Sequence, residues 1–244
     1  MAKTLLLLGG RSDIGLACAH EFAAQGFDII LAARSAEELQ TSVKDIEIRH
    51  GVKAFAAEFD AEDTAAHCDF YTSLTAKPDV VLYSIGSLGD QKVSENNWSE
   101  AEKVISSNYT GAVSIVSIVA NDLESRNEGT IIGISSVAGE RGRQSNYIYG
   151  SAKAGFTTFL AGLRHRLAKT KVNVITVKPG FVETKMTAEM ELPKPLTASP
   201  ERVAKAVYKA YLSRKHTLYS LGIWRQIMFV VRSVPEQIFL KTKL

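Results

Sequence analysis

Thr4-Leu5-Leu6-Leu7-Leu8-Gly9-Gly10-Arg11-Ser12-Asp13-Ile14-Gly15 decides the architecture of this chain. Residues 4–8 make a nearly continuous apolar run, the pattern of a strand covered on both faces rather than one with a wet side. The glycines that follow allow a tight turn, and residues 14–25 then read as an amphipathic helix. A strand entering a helix through such a turn is half of a βαβ unit. It is also a place where a pyrophosphate can approach the backbone, held by the free N–H groups and dipole of the helix N-terminus. A turn that is merely structural is the competing reading of these residues alone.

Outward from this stretch the same alternation repeats. Residues 28–32, 53–59, 80–84, 130–135, 173–177 and 217–221 read as further strands, and residues 36–50, 63–75, 98–124, 146–168 and 200–213 as helices. The expectation is an α/β fold: one doubly wound parallel sheet of about seven strands, right-handed crossovers and helices on both faces. Ligands bind such sheets at the carboxyl ends of the strands, where the strand order reverses. The 244 residues, 45% apolar and 23% charged, suffice for one core, so residues 1–221 are expected to form one domain followed by a tail over residues 222–244.

The formal charge is only +3, and its basic excess is local. Arg225, Arg232, Lys241 and Lys243 oppose a lone Glu236, which leaves the remaining residues balanced in sign. That distribution lacks the basic face a nucleic-acid partner needs. Cys18 and Cys68 form neither a metal motif nor a disulfide framework, so no metal is expected and a reducing compartment is. The residues before the first strand do not resemble a signal peptide, and no run reaches 18 apolar residues, so a cytoplasmic location is expected.

Arg34 follows the second strand, where the ribose of a bound adenosine would lie. An acid there would accept a bond from a free 2′-hydroxyl, whereas arginine suits a 2′-phosphate. Ala32-Ala33 supplies no acid, and Arg11 adds a second cation, so NADP(H) is preferred over NAD(H). Two solvated surface arginines are the alternative. Asp60, just past the third strand, either binds the adenine amino group or caps the next helix.

Tyr149 and Lys153 stand four residues apart in the fifth helix, hence on one face. An ammonium beside a phenol lowers the phenol's pKa and readies it for proton transfer near neutral pH. Tyr147, a competing phenol, has no lysine four residues on. Ser136 lies thirteen residues before Tyr149 at the end of the fifth strand.

These residues resemble the short-chain dehydrogenase/reductase family, a Rossmann-type fold, over about residues 4–213. The family's Gly-x-x-x-Gly-x-Gly turn is matched by Gly9 to Gly15, except that Asp13 stands at its middle glycine; a carboxylate repels a pyrophosphate, so Asp13 is expected to point away and cap the helix. The family's Asn-Asn-Ala-Gly after strand four is Tyr83-Ser84-Ile85-Gly86 here. The resemblance implies cofactor contacts at Gly9, Arg11, Ser12, Asp13, Ile14, Gly15, Arg34, Asp60, Ser84, Ile85, Gly86, Tyr149 and Lys153. The turn Lys178-Pro179-Gly180-Phe181-Val182-Glu183-Thr184 adds Pro179, Gly180, Val182 and Thr184, the last facing the nicotinamide carboxamide. It implies the catalytic set Asn108, Ser136, Tyr149 and Lys153, with Ser135 structural. In this set Ser136 binds a carbonyl oxygen, Tyr149 protonates it, Lys153 holds the ribose and tunes the tyrosine, and Asn108 positions a water. Asn108 falls inside the helix over residues 98–124, where an asparagine disturbs backbone bonding.

Residues 185–199 fall where the family carries a mobile substrate lid, and Ser87-Leu88-Gly89-Asp90-Gln91 either faces substrate or is a surface turn. In the tail, Trp224, Ile227, Met228 and Val231 share a helical stripe beside Arg225 and Arg232, with a second short segment at residues 235–240. That stripe suits a membrane interface, or packing against the body or a second subunit. Tail and core together resemble the subgroup that reduces polyprenylphosphoryl keto-pentoses, of the decaprenylphosphoryl-2-keto-ribose reductase type, which implies a lipid-linked keto-sugar substrate and peripheral membrane contact; the family implies a homodimer or homotetramer. A reductase of a soluble ketone or 3-ketoacyl thioester, and a non-catalytic NADP(H)-sensing module, are the competing functions.

Overall fold

The computed structural model describes residues 2–242; Met1, Lys243 and Leu244 lie outside the described residues. Strands β1 (Thr4–Leu8), β2 (Asp28–Ala33), β3 (Ala54–Glu58), β4 (Val80–Tyr83), β5 (Thr130–Ile134), β6 (Asn173–Lys178) and β9 (Thr217–Tyr219) form a seven-stranded sheet in the order β3-β2-β1-β4-β5-β6-β9. Every pairing is parallel. The order runs one way from β1 through β3 and the other way from β4, so the reversal lies between β1 and β4. Leu8 and Tyr83 pair across it, and the loops at Gly9 and Ser84 leave the sheet side by side.

The apolar run at residues 4–8 is buried throughout because both faces of β1 are covered. Leu5 and Leu7 join one core layer with Phe22, Leu31 and Val203; Leu6 and Leu8 join the opposite layer with Val81, Tyr83, Ile115, Phe156 and Leu160. Successive strand residues point to opposite faces, which is why neighbouring leucines serve different layers. Helices α1 (Asp13–Ala23) and α8 (Pro200–Leu212) cover the first layer; α6 (Gly111–Arg126) and α7 (Tyr147–Arg166) cover the second.

Several elements depart from the sequence expectation. Residues 36–50 form a 3₁₀ turn at Ala36–Leu39 and then α2 (Gln40–His50), and residues 63–75 yield only α3 (His67–Ser73). Residues 98–124 divide into α5 (Trp98–Ile105), a π-helical turn at Ser106–Thr110, and α6. The expected surface turn before them leads into α4 (Gln91–Asn96), whose first N–H groups bond the Asp90 carboxylate. Two short strands, β7 (Phe181–Val182) and β8 (Thr197–Ala198), pair with each other and close the base of the excursion between them. Neither the division of the long helix nor this two-stranded pairing leaves a periodic trace in so few residues.

The tail forms α9 (Ile223–Ser233) and α10 (Glu236–Phe239). Its stripe faces inward: Trp224, Met228 and Val231 are buried in the first core layer, and Ile227 packs against it. Ile223, Phe229 and Val230 are the apolar residues α9 leaves exposed. Among the described residues no helix is long and apolar enough to cross a membrane.

Candidate active site

A cavity of about 460 Å³ opens at the carboxyl ends of the strands, beside the reversal between β1 and β4. One end is lined by Gly9, Arg11, Ser12, Arg34 and Asp60, and the other by Ser136, Tyr149, Met190 and Trp224. Its size falls in the range of small-molecule sites.

Gly9 adopts φ +112°, and a side chain there would press on the backbone of Ser84 and Ile85. The first glycine of the turn is therefore demanded both by dihedral and by close packing. Ser12, not Asp13, caps α1: its hydroxyl accepts from Gly15 N at 3.2 Å and meets the Ser84 hydroxyl at 2.8 Å. This corrects the expectation for Asp13. Its carboxylate instead accepts from Lys185 N at 2.7 Å and lies 3.6 Å from Lys185 Nζ, so it ties the glycine-rich turn to the segment that begins at residue 185. The charge is drawn off toward a cation rather than left facing the helix N-terminus, whose first-turn N–H groups have no intrahelical partners. Ile14 lines the cavity, whereas Gly15, expected as a cofactor contact, is buried behind the turn with its N–H on the Ser12 hydroxyl and does not line it.

Arg34 is exposed at the cavity wall, and Arg11 reaches across to donate to the Arg34 carbonyl at 2.8 Å while pairing with Glu38 at 2.9 Å. Glu58 accepts from Ser35 N at 3.0 Å and Ala36 N at 2.8 Å, fixing the loop that carries Arg34. Asp60 does not cap α3: it accepts from Glu62 N at 2.9 Å within its own loop, and α3 begins seven residues later at His67. Ser84, Ile85 and Gly86 line the opposite wall.

Ser136 and Tyr149 line the second end of the cavity, with Lys153 buried between α7 and β5. Lys153 Nζ donates to the Ile134 carbonyl at 3.1 Å and sits 5.7 Å from the centre of the Tyr149 ring. Ser135 faces inward, its hydroxyl bonding the Lys153 carbonyl at 3.0 Å and Thr157 at 2.6 Å. Ser136 bonds Ala138 N at 3.1 Å and caps the 3₁₀ turn Val137–Glu140. Tyr147 is exposed at the start of α7, outside the cavity lining.

Electrostatics at this end run opposite to the simple expectation of a lysine-lowered phenol. Burial pushes the Tyr149 phenol above its ordinary value, with the Ser136 hydroxyl beside it pulling the other way. Burial also pulls the Lys153 ammonium down to about 7. Both groups pay for desolvation in their charged forms, and at this separation that outweighs their mutual effect.

Asn108 sits in the π turn with its side chain fully buried. Nδ2 donates to Ser87 O at 2.7 Å and to Val104 O at 2.8 Å, while Oδ1 has no partner among the described residues. A Cβ on Gly86 would lie 2.5 Å from that oxygen and 3.0 Å from Lys153 Nζ, so both polar ends converge on the backbone of the β4 loop. Wide π turns recur at functional positions; this one sets Asn108 behind the cavity wall, against Gly86 and Ser87, while Ser107 lines the cavity itself.

Pro179, Gly180, Val182 and Thr184 line the cavity after β6, with Thr184 in a capping box with Thr187. A side chain on Gly180 would overlap the indole of Trp224, whose Nε1 donates to Leu196 O at 3.0 Å. The segment over residues 185–199 is thus tied at Lys185 to the glycine-rich turn and at Leu196 to α9. Gln91 braces α7 by accepting from Ile148 N at 3.2 Å. Sequence reasoning missed Arg143, Asn146, Phe181 and Trp224 as cavity-lining residues, while Met190 falls within the expected 185–199 segment. One signal was available for the first two: the thirteen-residue span from Ser136 to Tyr149 must pass the same end of the cavity.

Residues 3–194 match the model of the short chain dehydrogenase family. The chain is 35% identical over 238 residues to an uncharacterized oxidoreductase of Mycobacterium tuberculosis, covering 96% of this chain and 95% of that protein. It is 30% identical over 190 residues to an NADP-dependent 3-hydroxy acid dehydrogenase of Schizosaccharomyces pombe, covering 76% and 73%. A short-chain dehydrogenase from Sphingobium yanoikuyae, solved in complex with NADPH, superposes with a TM-score of 0.82 at 21% identity, covering 96% of this chain and 97% of that one.

Proposed function

The chain belongs to the short-chain dehydrogenase family and is an oxidoreductase; from that premise we propose that it is an NADP(H)-dependent reductase of a ketone, acting on a keto-sugar. The observation that carries this reading is the convergence of Ser136, Tyr149 and Lys153 on one cavity that begins at the glycine-rich turn. The residues present fit the cofactor. Gly9 lets the backbone approach a pyrophosphate, Asp13 is drawn away by Lys185, and Arg34 and Arg11 offer cations where a 2′-phosphate would lie. Relatives and neighbours named for NADP or NADPH support the same choice.

NADPH, when bound, would supply the hydride for a carbonyl carbon, and the chain's own residues would then meet the negative charge that gathers on the carbonyl oxygen. Ser136 donates to that oxygen, and Tyr149 gives it the proton. Because burial holds the phenol protonated, Tyr149 enters the reaction as an acid. Lys153 holds the ribose edge of the site and, when charged, steadies the phenolate that Tyr149 becomes. Asn108 Oδ1, buried and facing Gly86, accepts from the water through which Lys153 recovers a proton.

At a finer level we propose a polyprenyl-phosphate-linked keto-pentose as substrate, met by a homo-oligomer at the cytoplasmic face of a membrane. Support comes from an apolar lid wall, where Met186 and Met190 line the cavity, and from exposed Phe229 and Val230 on α9 near Arg225 and Arg232. Exposed Trp98 on α5 offers a surface for self-association. Reduction of a soluble ketone or 3-ketoacyl thioester is the alternative, favoured by relatives named for a 3-hydroxy acid dehydrogenase and a ketoacyl reductase.

The test is NADPH oxidation with a panel of ketones and keto-sugars, with and without a prenyl-phosphate group, for the natural chain and Tyr149→Phe. Turnover should fall by about 10²- to 10⁴-fold in the variant, with NADPH binding retained. Undiminished turnover would remove Tyr149 from the chemistry and this reading with it.

A further inference from the structure

Arg143 is the one guanidinium lining the reactive end of the cavity, and among the described residues no carboxylate pairs with it. It lies in the loop between the 3₁₀ turn at Val137–Glu140 and α7, half-buried. Its Nε is buried with no hydrogen-bond partner among the described residues, and its Nη2 meets only the sulfur of Met228 at 3.7 Å. Burial without a counter-charge pulls its pKa below the ordinary arginine value. The neighbouring cations show what satisfied arginines look like here. Arg141, two residues earlier, donates to the carbonyls of Val231 and Val234, and Arg232 lies near Glu140.

A second polar group stands beside it. Asn146, at the start of α7 and also lining the cavity, has Oδ1 buried with no partner among the described residues. Around these two groups the wall is apolar, formed by Phe181, Met190 and Trp224. A guanidinium offers five donors in a planar fork matched to carboxylate and phosphate oxygens, and it is costly to bury without one. A neutral ketone would leave that cost standing.

We propose that Arg143 is a substrate-binding residue that anchors an oxyanion, a carboxylate or a phosphodiester, carried by the carbonyl compound beside its reacting group, with Asn146 Oδ1 accepting from a hydroxyl on the same compound. This rests on the carbonyl-reductase reading above and names its substrate class: an anionic ketone with an apolar extension. The cofactor's phosphates belong to the other end, at Arg11, Arg34 and the α1 N-terminus, so the two anion sites serve different molecules.

The probes are matched pairs: a 3-oxo acid against its methyl ester for the carboxylate arm, and a ketose alkyl phosphodiester against the free ketose for the phosphate arm. The first readout is Trp224 fluorescence on titration, which needs no turnover; Trp224 lines the cavity, and a Trp98→Phe background removes the exposed second tryptophan. The second is kcat and KM for whichever pair is reduced. In the natural chain the charged member of one pair should bind at least tenfold tighter than its neutral partner. Arg143→Met should erase that preference, weakening the anion about 10- to 100-fold, as expected for loss of a charge-assisted bond. The loss should fall mainly in KM, and the neutral member should change less than about threefold. Arg143→Lys should restore part of the preference. The arm that shows the effect identifies the oxyanion. Equal binding of charged and neutral members in both arms overturns the proposal, as does an anion preference that survives Arg143→Met. Neutral ketones separate the two ideas: if they are reduced through Tyr149 while no anion preference exists, the reductase reading stands and the subsite falls.

Discussion

Lys153 is buried in the site with its ammonium pulled down to about 7 from an ordinary 10.5, and desolvation is the cause. A base whose folded value is lowered binds its proton more strongly when unfolded, so stability rises with pH between those two values. Below about pH 7 both states are protonated and the full cost of burying the charge is present; above about 10.5 neither is, and the cost is gone. Lys153→Met removes this dependence. We expect the variant to exceed the natural chain in Tm most clearly below pH 7, with the gap closing as pH climbs toward 10. Parallel Tm profiles for the two chains across that range would show that Lys153 stays charged in the fold. The residue's position was readable because helical spacing fixes which side chains share a face, as for Tyr149 and Lys153. Its titration was not, since burial depends on β5 and the Gly86 loop, which are distant in sequence. Arg143 and Asn146 were harder still. They lie in a non-periodic loop, where neighbours in sequence give no rule for side-chain direction, and only the folded cavity shows that they share a wall.

The elements that were legible are those with long apolar runs. All seven strands of the main sheet coincide with runs read from sequence, because strands covered on both faces cannot hide their apolar character. The π turn around Asn108, the helix α4 and the β7–β8 pairing were not legible, since each is set by a handful of contacts: Asn108 with Val104 and Ser87, Asp90 with two N–H groups, and Glu183 N with Ala198 O at 3.0 Å. The same locality governs the end of α9. Its terminal carbonyls have no glycine cap and are instead bonded by Arg141, which donates to Val231 O at 2.7 Å and Val234 O at 2.6 Å while its guanidinium lies 3.9 Å from the centre of the Phe239 ring. A cation at a helix C-terminus complements both the free carbonyls and the dipole. Arg141→Ala should therefore fray the last turn of α9 and release α10, lowering stability by about 1.5 to 3 kcal/mol. Hydrogen exchange at residues 230–240 should accelerate well before the rest of the molecule responds. Unchanged protection there would mean that packing alone holds the helix end.

At the scale of the whole molecule, the tail has an inward and an outward face, and the two can be tested separately. The inward face is part of the main core: Trp224, Met228 and Val231 are buried with β6, β7 and α8, and Trp224 donates to the Leu196 carbonyl. Glu140 binds the same region together, its carboxylate meeting Lys178 at 2.7 Å, the Tyr219 hydroxyl at 2.6 Å and Arg232 at 3.8 Å. Ending the chain after Leu221 removes Trp224, Met228 and Val231 from the core, the Trp224 bond to Leu196 and the Arg232 partner of Glu140, while Lys178 and Tyr219 stay on Glu140. Loss of one buried tryptophan or methionine side chain alone costs about 2 to 5 kcal/mol, against a total of about 5 to 15 kcal/mol for an ordinary domain. The shortened chain is therefore expected to lie near its folding threshold and to lose activity on every carbonyl, water-soluble or lipid-linked. The outward face carries Phe229 and Val230, both more than half exposed, beside Arg225 and Arg232. Phe229→Ser with Val230→Ser leaves the core untouched and should hold Tm within about 2 °C, since exposed substitutions rarely exceed ±0.5 kcal/mol. In a flotation assay with vesicles of anionic phospholipid, the natural chain should partition to the lipid and the double variant should not, while turnover of water-soluble ketones stays unchanged. A double variant that still floats with the vesicles would free α9 of any membrane duty. A truncated chain with native Tm and activity would show that Trp224 and Met228 are dispensable to the core.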